Sequence, residues 1–217
     1  MKIEIWFDYL CPLSYQTHKN LEFVLENYHF DDLEVIYRSY EVIPKFSKHE
    51  PCTMHDVVSK HHVLTAEEAK ELLKEIAGID QVTPVSVHDA HRLSHLAKHQ
   101  DRAYAFNKRI FKAFYEEHTD ISDEQLLRAL ALEAGLDEEE VDDVLESTRY
   151  HHAVECNREN AILKGIHEIP YMRINGQIRL SGLQTIKDLI TCFNRALYIE
   201  NPSEYCEGDN CMRKKTR

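Results

Sequence analysis

No run of apolar residues in this chain approaches the ~20 that a membrane-spanning helix needs, which excludes a helical integral membrane protein. Positive charge is also scarce: 26 Lys and Arg face 38 Asp and Glu, a formal net charge of −12. No basic stripe could neutralise a row of phosphates, so neither nucleic acid nor a membrane surface is expected as a partner. The basic end, Met212-Arg213-Lys214-Lys215-Thr216-Arg217, is short and reads as a solvated tail. No basic, apolar leader precedes the first strand, and the expected location is cytoplasmic. Six cysteines in 217 residues do not make a disulfide scaffold; in a reducing compartment they read first as thiols, and any disulfide among them as redox-active. A zinc site needs about four ligands, and the tail cysteines have only carboxylates and a distant histidine near them, so no metal is expected.

What is present begins with Trp6-Phe7-Asp8-Tyr9-Leu10-Cys11-Pro12-Leu13-Ser14-Tyr15. Ile3, Ile5, Trp6 and Phe7 suit a buried strand. Pro12 is favoured at the first helical position, where its missing N–H would have no partner anyway, so Cys11 falls at the N-cap. Its sulfur then faces the free N–H groups of Leu13 and Ser14 and the positive end of the helix dipole. Both favour thiolate over thiol, and the expectation is a partly exposed nucleophile with a depressed pKa.

Leu21, Val24 and Leu25 continue that helix to about Asn27, and residues 33–40 alternate like a second strand. Strand, helix, strand places the two strands parallel through a right-handed crossover. Residues 42–65 read as a linker with a short helix at most, with Cys52 as a surface thiol. From Thr65 the chain is helical for about a hundred residues, with N-terminal signatures at Thr65-Ala66-Glu67-Glu68, Ser122-Asp123-Glu124-Gln125 and Asp137-Glu138-Glu139-Glu140, and stops at Gly78 and Gly135. Phe106, Ile110, Phe111 and Phe114 form one apolar stripe, and Leu126, Leu127, Leu130, Ala131 and Ala134 another. His91, His95 and His99 share one helical face and are expected on the surface or in a groove, whereas Cys156 and Cys192 are expected to be buried packing residues. A helix over 148–164 ends at Gly165. Asn175-Gly176 then signals a type I′ hairpin between two short strands, before a closing helix marked by Ile186, Leu189, Ile190, Phe193 and Leu197.

With Cys-Pro at the first strand-helix junction and Ile169-Pro170 before the hairpin, this order resembles the thioredoxin fold interrupted by a helical insertion, the architecture of the DsbA family. Within that family it is similar to the FrnE-like branch. The resemblance is carried by Phe7-Asp8-Tyr9-Leu10-Cys11-Pro12, Asp89-Ala90-His91-Arg92-Leu93, Asp120-Ile121-Ser122-Asp123, Ala134-Gly135-Leu136-Asp137, Ile169 to Gly176, and Ser181-Gly182. It implies an α/β chain with a thioredoxin-like domain over 1–43 and 165–200, an inserted helical subdomain over 44–164 and a tail over 201–217. It further implies that Pro170 is a cis-proline facing Cys11, and that Pro12 and the Ile169 backbone contact the substrate.

The chain departs from the family's C-x-x-C site, because Ser14 stands where the second cysteine would be. A dithiol enzyme needs that sulfur to release the mixed disulfide; Ser14 can only donate a hydrogen bond to the Cys11 thiolate. The implied function is a monothiol thiol-disulfide oxidoreductase. It would have thiol or disulfide-bearing proteins as partners, no bound cofactor, and glutathione or another low-molecular-weight thiol as co-substrate. Kappa-class glutathione transferases and 2-hydroxychromene-2-carboxylate isomerases share the architecture and resemble Pro12-Leu13-Ser14-Tyr15, with serine at the position of Cys11, so a glutathione-dependent transferase or isomerase is the alternative. A degenerate peptide-binding member is another. In the tail, the spacing of Cys206 and Cys211 permits a tight disulfide. The resemblance implies a second redox pair there, either resolving Cys11 or standing apart, and local loop closure favours the separate pair.

Overall fold

The computed structural model describes residues 1–30, 33–47 and 52–197. Strand β1, Lys2–Phe7, is central: it pairs parallel with β2, Glu34–Ser39, and antiparallel with β3, Tyr171–Ile174, and β3 pairs antiparallel with β4, Ile178–Ser181. The strand order is β2-β1-β3-β4. Ile5 lies opposite Tyr37 on one side and Met172 on the other, and five of the six β1 residues are buried, as a strand covered on both faces requires. Buried Glu4 is held by Arg38 at 3.0 Å and by Arg173 at 2.8 Å. A charge at that depth is tolerated because cations on both neighbouring strands reach it.

The hairpin is of type I′. Asn175 and Gly176 have φ of 47° and 68°, and the Gln177 amide donates to the Ile174 carbonyl at 3.1 Å, the mirror-image turn that matches strand twist. Helix α1, Pro12–Asn27, and the closing helix Ile186–Leu197 pack together in the core beneath the sheet residues Ile3, Ile5 and Met172.

Among the described residues between β2 and β3 lie seven α-helices: α2 Met54–His62, α3 Ala66–Leu73, α4 His88–His99, α5 Ala103–Tyr115, α6 Glu124–Glu133, α7 Glu138–Glu146 and α8 His151–Leu163, so the closing helix is α9. This is the thioredoxin-like fold with a large helical insertion. Phe106, Ile110, Phe111 and Phe114 form a buried face of α5, with Phe111 5.7 Å from Phe7 ring to ring. The described residues within 42–65 contain one short helix, α2, nine residues long with a full capping box between Thr53 and Asp56, in keeping with the expectation of a short helix at most. Two boundary expectations need correction. The cap of α6 is Asp123, which accepts from the Leu126 amide at 2.8 Å, while the Ser122 hydroxyl donates to Asp120. Helix α8 starts at His151, because Tyr150 before it is left-handed with φ of 67°.

Candidate active site

The loop leaving β1 delivers Cys11 to the N-cap of α1 with Pro12 as the first helical residue, and the Cys11 carbonyl accepts from the Ser14 amide at 2.9 Å. The Ile169–Pro170 peptide is cis. The two segments meet, for the Cys11 thiol donates to the Ile169 carbonyl at 3.7 Å, within the limit for a sulfur donor. The Ser14 hydroxyl and the amides of Leu13 and Ser14 reach the same sulfur.

Cys11 is not partly exposed. It is 2% exposed, within a cluster of Trp6, Leu13, Tyr40, Ile166 and Ile169, against which Leu72 of α3 and Val42 also pack. Its acidity is corrected accordingly. Burial, the largest influence, pushes the thiol up to about 11, opposing the Ser14 hydroxyl and the Ser14 and Leu13 amides, which pull it down, while the Asp8 charge adds to the rise. The helix N-terminus does favour thiolate; excluding water from the sulfur opposes it more strongly. The two sets of contacts belong to two protonation states: the thiol donates to Ile169, and a thiolate would accept from Ser14 and the amides. Pro12 and Ile169 are buried as well, so neither is open to a substrate in this conformation.

Leu72 of α3 packs against the cluster that holds Cys11, and so do Ala161 and Ile162 of α8. Helices α2 and α3 pack on each other and enter the main core through Met54, Val57, Ala69 and Leu73, with His61 edge-on to Tyr40 at 6.2 Å and His62 Nδ1 3.6 Å from the Glu168 carboxylate, two residues before the cis-proline. Between α2 and the segment after β2 lies a cavity of about 340 Å³ lined by Val42, Lys45, Phe46, Cys52, Lys60 and His61. Val42 borders both this cavity and the Cys11 cluster. Cys52 is thus half-buried in a cavity wall.

Asp8, to which the sequence reading gave no role, and His91 meet beside the loop that carries the nucleophile. Asp8, fully buried, accepts from the Leu10 amide at 3.3 Å, from the Val42 amide at 2.6 Å and from His91 Nε2 at 3.0 Å. The sequence signal for Asp8 was membership of the motif Phe7-Asp8-Tyr9-Leu10-Cys11-Pro12, and for His91 membership of Asp89-Ala90-His91-Arg92-Leu93 and of the repeat with His95 and His99. The expectation of surface or groove histidines fails here: His91 is 0% and His95 5% exposed, and His95 Nε2 lies 3.3 Å from the Ser39 hydroxyl and 3.2 Å from the Asn157 amide. Arg92 is structural, donating to carbonyls at the end of α7 and beyond it, with the Ser147 oxygen at 2.5 Å. Cys156 is only half-buried and lies 3.2 Å from His152 Nε2, and Cys192 is half-buried too. Cys206 and Cys211 lie outside the described residues. Among the described residues no three metal-binding side chains converge.

A family model described as the DSBA-like thioredoxin domain matches residues 2–191. The uncharacterized protein YwbO of Bacillus subtilis is 28% identical over 156 residues, 68% of this chain and 73% of that one. A probable DsbA oxidoreductase of Streptomyces coelicolor superposes with a TM-score of 0.78 at 25% identity, covering 99% of this chain and 97% of that one. The cytosolic disulfide reductase DsbM of Pseudomonas aeruginosa has a TM-score of 0.62 at 17% identity, over 91% of this chain and 98% of that one. A 2-hydroxychromene-2-carboxylate isomerase has 0.65 at 18%, over 91% and 96%. The last two share the fold.

Proposed function

The chain belongs to the DsbA-like thioredoxin domain family, and from that premise we propose that it is a FrnE-like, cytoplasmic thiol-disulfide oxidoreductase using Cys11 as its single reacting thiol. The observation that carries this reading is the meeting of Cys11 with the carbonyl preceding cis-Pro170 at 3.7 Å, with an oxygen rather than a sulfur at Ser14. In the first step the Cys11 thiolate attacks one sulfur of a substrate disulfide. That S–S bond breaks, the other sulfur leaves as a thiolate and takes up a proton, and Cys11 holds a mixed disulfide. Since Ser14 cannot attack this bond, a low-molecular-weight thiol from outside must do so. It forms a disulfide with the substrate moiety and releases the Cys11 thiolate.

Lys45 and Lys60 on the cavity wall suit the carboxylates of a glutathione-like co-substrate. The direction follows from the sulfur's surroundings. A strongly oxidising member of this chemistry stabilises its reduced form as thiolate; here burial opposes the thiolate, which favours net reduction or isomerisation of disulfides. The cysteine at position 11 favours this over the transferase or isomerase reading, in which serine would stand there. Wild-type protein should accelerate reduction of a glutathionylated peptide by glutathione, and Cys11→Ser should return the rate to the uncatalysed level. Full turnover in Cys11→Ser would refute the assignment.

A further inference from the structure

The carboxylate of Asp8 joins three separate parts of the chain. It accepts from the Leu10 amide in the Cys11 loop at 3.3 Å, from the Val42 amide after β2 at 2.6 Å and from His91 Nε2 on α4 at 3.0 Å. The backbone completes the loop, because the Cys11 amide donates to the Asp8 carbonyl at 3.1 Å. Both partners of the Asp8–His91 contact are 0% exposed. The second ring nitrogen of His91, Nδ1, is buried without a hydrogen-bond partner. Placing a proton on it would strand a buried N–H, so the proton on Nε2, directed at Asp8, is the tautomer that fits. His91 Nε2 is thus one of three donors that hold the Asp8 carboxylate beside the Cys11 loop.

We propose that Asp8, clamped by His91, is a positioning residue for Cys11: it fixes the loop that presents the sulfur, and its charge sets how readily that sulfur ionises. Besides Tyr9, whose ring lies 4.7 Å from that of His91, the titratable or charged groups around the pair include His61 of α2, which senses the Asp8 charge, and Tyr115 of α5, whose hydroxyl donates to the Tyr9 carbonyl at 2.9 Å. Tyr40 and Arg158 of α8, stacked over it at 5.7 Å, complete the surroundings. Among the described residues none of these groups hydrogen-bonds to the Asp8 carboxylate. Asp8→Asn removes the charge near the sulfur and also turns an amide NH2 toward one of the three donors, so it tests the charge and the loop contacts together.

This inference rests on Cys11 being the reacting thiol, and its test separates the two. The rate of Cys11 modification by a small neutral disulfide is measured against pH, with the site mapped by peptide mass spectrometry. Asp8→Asn should lower the Cys11 midpoint by about one pH unit, a tenfold gain in thiolate below the midpoint, and leave the Cys156 profile unmoved. Should the amide fail to fold, Asp8→Ser, smaller but equally uncharged, should shift the midpoint in the same direction. A midpoint unchanged or raised in the folded variants overturns the role of Asp8 while Cys11 remains the nucleophile. A wild-type Cys11 that never reacts overturns both.

Discussion

At the scale of the residue, Cys11 is governed by opposing influences, of which water exclusion is the largest in the covered state. Ser14 is the opposing influence that can be removed alone. In Ser14→Ala the thiolate loses a hydroxyl donor while the amides remain, so the Cys11 modification midpoint should rise. A hydrogen bond to a charged group is worth about 1.5–3 kcal/mol, so a rise of about one pH unit is the expected minimum. A midpoint that does not rise would mean that the hydroxyl leaves the sulfur alone. Position along the chain was legible here, since Pro12 places Cys11 at the N-cap by local sterics. Burial was not, because it depends on Tyr40 and Leu72, which the chain brings in from elsewhere. The Asp8–His91 contact joins residues 83 apart, and nothing local to either residue announces it.

At the scale of the element, the helices that pack against the Cys11 cluster, α3 through Leu72 and α8 through Ala161 and Ile162, keep the site covered. A sulfur that is 2% exposed cannot be reached by an external disulfide until covering elements such as α3 move aside. Opening removes the water exclusion that raises the thiol, so it uncovers and activates Cys11 together. The cap at Thr65 offers a way to loosen them, for its hydroxyl accepts from the Glu68 amide and the Glu68 carboxylate accepts from the Thr65 amide at 2.8 Å. Thr65→Ala should cost α3 about 1 kcal/mol, seen as faster amide exchange in its first turn. It should also speed Cys11 modification about fivefold, the factor that such an energy gives in a two-state population. Exchange that quickens without any gain at Cys11 would show that α3 does not gate the sulfur. The Thr65 box was legible because Glu stands three residues on. The Thr53 box was not: Asp56 fills the same role, but with Pro51 and Cys52 just before it the stretch reads as linker.

At the scale of the whole molecule, topology was the most legible property, because it follows from a few strong local signals: Cys11-Pro12 at a strand end, a second strand after one helix, and Asn175-Gly176 between two short strands. These fix β-α-β, then helices, then β-β-α, and the sheet order β2-β1-β3-β4 follows. Long-range polar matches were hidden, as with Glu4, whose burial depends on Arg38 and Arg173 arriving from the two flanking strands. What the assembled molecule does rests on one sulfur. The most direct test is to quench the protein during turnover of a small disulfide and map every cysteine, including Cys206 and Cys211, by peptide mass spectrometry. The account predicts one mixed disulfide, on Cys11, that disappears when excess low-molecular-weight thiol is supplied. An adduct confined to any other cysteine, with Cys11 left as free thiol, would contradict it.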